Sequence, residues 1–120
     1  DVLFVEGQGT IVHPAYSGVT CSLLHGAMPD ALVMTHSAGR EAIHGYEEFA
    51  IPPVETYVDL YTDLADHVAP TEVAAGALDT RAFEDDDAAR EAVEAYASSL
   101  DAPATDPVRF DADEILDALL

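Results

Sequence analysis

Residues 53–81 read "PVETYVDLYTDLADHVAPTEVAAGALDTR", and the change of period inside this stretch decides the fold class. Val54, Tyr57, Val58, Tyr61, Leu64, Ala65 and Val68 recur at three- and four-residue steps, with Glu55, Asp59, Asp63 and Asp66 between them. This spacing predicts a helix with one apolar face. Pro53 suits the first helical turn, where its missing amide hydrogen is not needed, and Pro70 ends the element. Glu72–Leu78 then reads as a strand that closes on Asp79-Thr80-Arg81.

The same alternation extends in both directions. Upstream, Val2–Val5 is a short continuous apolar run, as expected of a strand covered on both faces. A short helix follows in "SGVTCSLLHGA", with Ser17 as its N-cap and Val19, Leu23 and Leu24 on one side. Ala31–Met34 reads as a second buried strand, running into Thr35-His36-Ser37-Ala38-Gly39-Arg40. Residues 41–53, "EAIHGYEEFAIPP", read as irregular. Downstream, a helix is expected from about Glu84 to Leu100, and the acids of its first turn, Glu84 to Asp87, lie where the helix dipole favours them. Val108-Arg109-Phe110 is a candidate fourth strand, and Asp111–Leu120 a last helix with Asp111 and Glu114 at capping-box spacing. The order is that of an α/β protein with a parallel sheet of three or four strands joined by helical crossovers. That sheet is thin for a doubly wound domain, so the chain is expected to be the C-terminal part of something longer.

Composition bounds the setting. The 120 residues carry 24 acids against four basic residues, all arginine, for a formal net charge of −20, yet 49% are hydrophobic. A periodic apolar pattern this rich can form a core, so the acids are a surface feature and not a disordered tail. Such a charge repels itself over about 30 Å at 0.01 M salt and over only about 3 Å at 1 M. The absence of lysine and the excess of Asp, Glu and Ala therefore point to a protein adapted to concentrated salt. The charge argues against nucleic acid and anionic membrane as partners, because both require positive surface. No apolar run reaches the ~20 residues of a membrane span. Cys21 is the single cysteine, which excludes a disulfide framework and a cysteine-based zinc cluster. A cytoplasmic location is the expectation.

Chemistry is sought where parallel strands end, because ligands of open α/β sheets bind outside their carboxyl ends. Glu6-Gly7-Gln8-Gly9 follows the first apolar run. Glu6 can hold Mg²⁺ directly or through water, and Gly7 and Gly9 let backbone amides approach an anionic group. The same residues also suit a tight turn whose acid caps a nearby amide. His13 and Ser17, at a helix start, can touch an anion or simply cap. His25 and His67 read as dipole-complementing or surface histidines, and His44 has no assignment. His36 ends the second strand and can serve as a base near neutral pH. Arg40, four residues on, can clamp a carboxylate or phosphate or pair with one of the many acids. Arg81 lies on the same rim by topology, with Arg109 near the fourth strand. No Walker A sequence, His-Glu-x-x-His helix or Gly-x-Ser-x-Gly elbow occurs, so the chemistry is incomplete within these residues.

"DVLFVEGQGTIVHP" resembles the strand and loop of dethiobiotin-synthetase-like P-loop proteins, whose motif glutamate helps to bind the magnesium of the nucleotide. Taken together, "VEGQGTIVHPAYSGVT", "THSAGR", "GALDTR" and "TDPVRF" resemble the C-terminal half of a two-domain family. That family was long known as a domain of unknown function and is associated with D-glutamate N-acetyltransferase. The resemblance covers residues 1–120 and implies a partial three-layer P-loop NTPase-like fold. It also implies a phosphate-binding loop and a Rossmann-like domain upstream of Asp1, and a possible homo-oligomer by family habit. Residue by residue, it makes Glu6 a metal ligand or base, Gly7, Gln8 and Gly9 backbone donors, Arg40 an anion holder, and His36 a substrate-orienting residue or base. Asp79 departs from the asparagine expected there. The implied cofactors are Mg²⁺ with ATP, or acetyl-CoA, and the implied partners are a small-molecule substrate and the remaining N-terminal portion of the protein. The implied reaction is acyl transfer to an acidic amino acid such as D-glutamate. The alternatives are an ATP-dependent ligase of the dethiobiotin synthetase type, or a non-catalytic nucleotide-binding or assembly module.

Overall fold

The computed structural model describes all 120 residues. Nine elements follow in order: α1 (Ser17–Ala27), β1 (Leu32–Ser37), β2 (Ala42–Ile43), β3 (Tyr46–Ala50), α2 (Val54–Asp66), β4 (Val73–Asp79), α3 (Asp86–Leu100), β5 (Ala104–Thr105) and α4 (Asp113–Leu119). The main sheet is parallel, in the order β1-β4-β5, and β2 and β3 form a separate antiparallel hairpin. The α/β class, the parallel sheet and the helices α2 and α3 are as the sequence periodicity predicts. No helix is long and apolar enough to cross a membrane.

The core sits where β4 meets α3. Val73, Leu78, Tyr96, Leu100 and Ala104 form its buried cluster, with Met34, Val58 and Val93 packed against it. Gly76 sets how closely these layers approach: a Cβ there would collide with Leu100 and lie 2.7 Å from the Tyr96 ring. Its neighbour in register is Ala104 on β5, so two small residues face each other where the helix crowds the strand. Asp85 caps α3, its carboxylate accepting from the amides of Asp87 and Ala88. That accounts for part of the acidic run at this helix start without any ligand.

Four local expectations are corrected. Val2–Val5 pairs with no strand and is exposed, with Leu3 at 87%. An apolar run becomes a strand only when its backbone groups join a ladder, and here the outer edge of β1 stays open, β1 pairing only with β4. For the same reason β1, an edge strand, holds no fully buried residue. The 41–53 segment is not irregular, because Gly45, at φ 82°, turns it into the β2–β3 hairpin. The third sheet strand is Ala104–Thr105, whereas Val108-Arg109-Phe110 is a turn gathered by the Asp106 carboxylate, which accepts from the amides of Val108 and Arg109.

The caps also differ. Ser17 makes no capping bond, and the Nδ1 of His13 instead accepts from the amides of Ala15 and Tyr16 just ahead of α1. Asp111 accepts from the amide of Asp113, one position short of a capping box, so α4 begins without a side-chain cap. His25 bonds to the Leu64 carbonyl at 2.8 Å and ties α1 to α2.

Candidate functional site

A cleft of about 1270 Å³ runs along β1 and over the carboxyl ends of the sheet. Each strand delivers residues to it: His36 and Ser37 from β1, Asp79 from β4, and Asp106 just past β5. The loop of residues 8–16 and the hairpin wall the other side. Gln8, Gly9, His36 and Arg40 therefore share one cleft, as the topology predicts for His36 and Arg40. Glu6 and Gly7 do not form part of its wall, and the Glu6 carboxylate accepts no hydrogen bond from the chain. Glu6 thus does not cap the amides of its own loop.

The second glycine of Glu6-Gly7-Gln8-Gly9 has a steric reason. A Cβ at Gly9 would lie 3.1 Å from Cδ2 of His13 and 3.2 Å from Cδ2 of Tyr16. The Gly9 carbonyl accepts from the Thr20 hydroxyl at 2.5 Å, and the Ile11 amide donates to the Tyr61 hydroxyl at 3.2 Å. The loop is thereby fastened to α1 and α2 while its backbone lies against a pair of aromatic rings.

His36 is half-buried and stacks on Tyr96, with centroids 5.8 Å apart. Burial, and secondly the Arg40 guanidinium, hold its pKa below the ordinary 6.5. The ring is therefore neutral at pH 7, which is the form that can accept a proton. Because the folded state resists protonating it, the stabilisation from its neutral form is complete above about pH 6.5 and is lost as pH falls below that value. Removing Arg40 is expected to move the His36 titration upward while leaving it below 6.5, since burial remains. NMR titration of the imidazole carbons checks this, and an unchanged midpoint in Arg40→Ala would show that the two groups do not interact.

The arginines are distributed unevenly. Three of the four, Arg40, Arg81 and Arg109, line this cleft. Arg81 is bound to Asp79 at 2.5 Å, and that bond holds the Asp79 carboxyl below its usual range. Arg109 is consumed by structure: it donates to the carbonyls of Phe83 and Thr80 and pairs with Asp86 at 3.3 Å. Arg40 alone of the three has no carboxylate within salt-bridge reach. In a chain of net charge −20, this leaves the cleft with one arginine free of any acid, near a neutral imidazole.

Sequence reasoning missed two parts of this site. His13, Tyr16 and Tyr46 form a ring cluster in the cleft wall, with His13 stacked on Tyr16 at 4.5 Å and edge-on to Tyr46 at 5.1 Å. The sequence pointed to His13 as an anion contact or a cap at a helix start, but the rings gathered around it had no local signal beyond the i, i+3 spacing of His13 and Tyr16. Thr80 and Asp106, 26 residues apart, form a buried bond of 2.5 Å between the loops after β4 and β5, and no local pattern announces it. No group of three or more His, Cys, Asp or Glu side chains gathers to hold a metal ion. A cation at Glu6 would take its other ligands from phosphate oxygens and water, a coordination that Mg²⁺ accepts.

A parallel sheet whose carboxyl ends carry the cleft defines an open α/β ligand-binding domain. A family model described as "Domain of unknown function (DUF1611_C) P-loop domain" matches residues 1–116, and the chain belongs to this DUF1611 family. It is 32% identical over 112 residues to a D-glutamate N-acetyltransferase from Pseudoalteromonas sp, covering 93% of this chain and 34% of that protein. It is also 32% identical to a D-glutamate N-acetyltransferase from Tritonibacter scottomollicae, over 96% of this chain and 34% of the relative. A crystal structure of a DUF1611 family protein from Anabaena variabilis superposes with a TM-score of 0.87 at 35% identity, covering 95% of this chain and 34% of that one. The chain thus spans about a third of the length of these relatives.

Proposed function

We propose that this chain is the P-loop-type portion of an enzyme that transfers an acetyl group to the amino nitrogen of an acidic amino acid, D-glutamate by analogy with the relatives. The observation that carries the reading is Arg40, the one cleft arginine without an acidic partner. Within so acidic a chain an unpaired guanidinium is a directed site for an anion, and its planar fork suits a carboxylate. His36, neutral and on the same wall, takes the proton that the amino group must lose before it can form the new amide bond. Gln8 and Gly9, both in the cleft wall, offer backbone amides to an anionic group of the second substrate. Glu6, unengaged within the chain, is available as a base or as a ligand to Mg²⁺.

Acetyl-CoA would supply the acetyl group as a thioester, so transfer forms one C–N bond, breaks one C–S bond and releases a thiol. As an intracellular metabolite it also implies a cytosolic setting. The remaining two thirds of the relatives' length would complete the site as further protein of the same chain.

The test is thiol release by the complete protein from acetyl-CoA, with and without D-glutamate. Release that depends on D-glutamate, and that falls by about a hundredfold in Arg40→Ala at unchanged melting temperature, supports the reading. Phosphate release from ATP with no thiol release would replace acyl transfer by a ligase.

A further inference from the structure

His13 is 9% exposed, yet its ring reaches the cleft wall. Its Nδ1 accepts from the amides of Ala15 at 3.0 Å and Tyr16 at 3.3 Å. A ring nitrogen that accepts two amide hydrogens bears none itself, so the ring N–H is on Nε2. Nε2 has no partner within the chain. It is not sealed off either, because the one enclosed side-chain nitrogen or oxygen without a partner is Thr71 Oγ1. The ring cannot swing away: Tyr16 stacks on one side, Tyr46 stands edge-on, and the Gly9 backbone lies close by. The outcome is a donor of fixed direction on a residue of the cleft wall, open to solvent and able to exchange water for the acceptor of a ligand.

We propose that His13 binds the ligand of this cleft, donating its Nε2–H to a carboxylate oxygen. The unengaged polar groups argue for that chemistry. Arg40 offers donors only, and so does Nε2 of His13, so together they suit a ligand with two acceptor groups, as a dicarboxylic amino acid has. Tyr16 and Tyr46 hold the ring that carries the donor, so its direction is set before a ligand arrives. This inference rests on the acidic-substrate reading above.

Two variants separate binding from loop structure. His13→Asn places an amide oxygen where Nδ1 stands, preserving the acceptor for Ala15 and Tyr16, and leaves nothing at the Nε2 position. His13→Gln does the reverse, reaching the Nε2 position with an amide nitrogen and losing the local acceptor. In the complete protein, calorimetric titration with glutarate is expected to show affinity about tenfold weaker or more in His13→Asn at nearly native melting temperature. His13→Gln is expected to melt earlier while recovering part of the affinity. Unchanged glutarate affinity in His13→Asn overturns the proposal and leaves acyl transfer standing. Glutarate binding lost in His13→Asn, with no D-glutamate-dependent thiol release by the wild type, keeps the proposal and removes the acyl-transfer reading. A wild type that binds no glutarate removes the carboxylate ligand altogether. Should His13→Asn fail to fold, the imidazole ¹⁵N spectrum of the wild type decides: a shift of the His13 Nε2–H signal on adding glutarate supports the proposal, and an unmoved signal overturns it.

Discussion

Replacing Arg40 by alanine in the complete protein is expected to lower kcat/KM for an acidic amino acid by about a hundredfold, with melting almost unchanged. The size follows from what is lost. A charge-assisted hydrogen bond to a carboxylate contributes about 1.5–3 kcal/mol, and each 1.4 kcal/mol is a factor of about ten. The unchanged melting follows from the surroundings, because Arg40 is exposed and no acidic side chain of the chain depends on it for charge balance. Substitutions at such surface positions shift stability by only about 0.5 kcal/mol. Arg40→Lys should recover part of the loss, since lysine restores the charge and not the planar fork. Arg81→Ala is the internal control: Arg81 is already bound to Asp79, so its removal should affect turnover far less. Steady-state kinetics on the three variants checks the set. Equal losses at Arg40 and Arg81 would mean that the cleft responds to total charge and that Arg40 has no particular ligand.

The second large effect is on stability. Asp106 is 4% exposed and Thr80 is fully buried. One carboxylate oxygen accepts from the amide and hydroxyl of Thr80, and the other accepts from the amides of Val108 and Arg109. Asp106→Ala strands these donors at once, and with about 1–3 kcal/mol for each buried group left unpaired, a net cost of about 3–4 kcal/mol is expected after relaxation. Asp106→Asn should not rescue it, because its amide nitrogen would face two donors. Chemical denaturation measures the loss, and a cost below about 1 kcal/mol would show that the two loops are held by something else. The pH dependence has a definite sign. Burial pushes the Asp106 carboxyl up, but the donors from Thr80, Arg109 and Val108 together outweigh it, and its pKa lies below the ordinary 3.8. The stabilisation is therefore present above about pH 3.8 and is lost as pH falls through the lower folded value. Since Asp106 and its neighbours also line the cleft, this variant should distort the rim that carries Asp79 and Arg81 as well.

What the sequence determined by itself was whatever a single segment can specify. The apolar stripe of α2, the acidic start of α3 and the strand β4 are legible because 3.6-residue periodicity, charge at a helix start and short apolar runs depend on neighbours along the chain. The parallel order then placed His36 and Arg40 on one rim, since successive parallel strands all end on the same side. Val2–Val5 has the same local character as β4 but lies unpaired and exposed, because a strand is completed by hydrogen bonds to a neighbour that its own residues do not specify. The turn at 106–110 is set by a carboxylate bonded to Thr80, 26 residues away, and the hairpin by one glycine with positive φ. His13 could be read as a loop residue, while its free donor appears only once Gly9, Tyr16 and Tyr46 close around the ring. Likewise, four identical arginines in the sequence became one unpaired cation only when tertiary contacts matched Arg81 and Arg109 to their acids and set Arg90 over the Phe110 ring. Local pattern fixes backbone periodicity through short-range sterics and burial, whereas the state of a polar group depends on which distant donor or acceptor reaches it, and that is decided by packing.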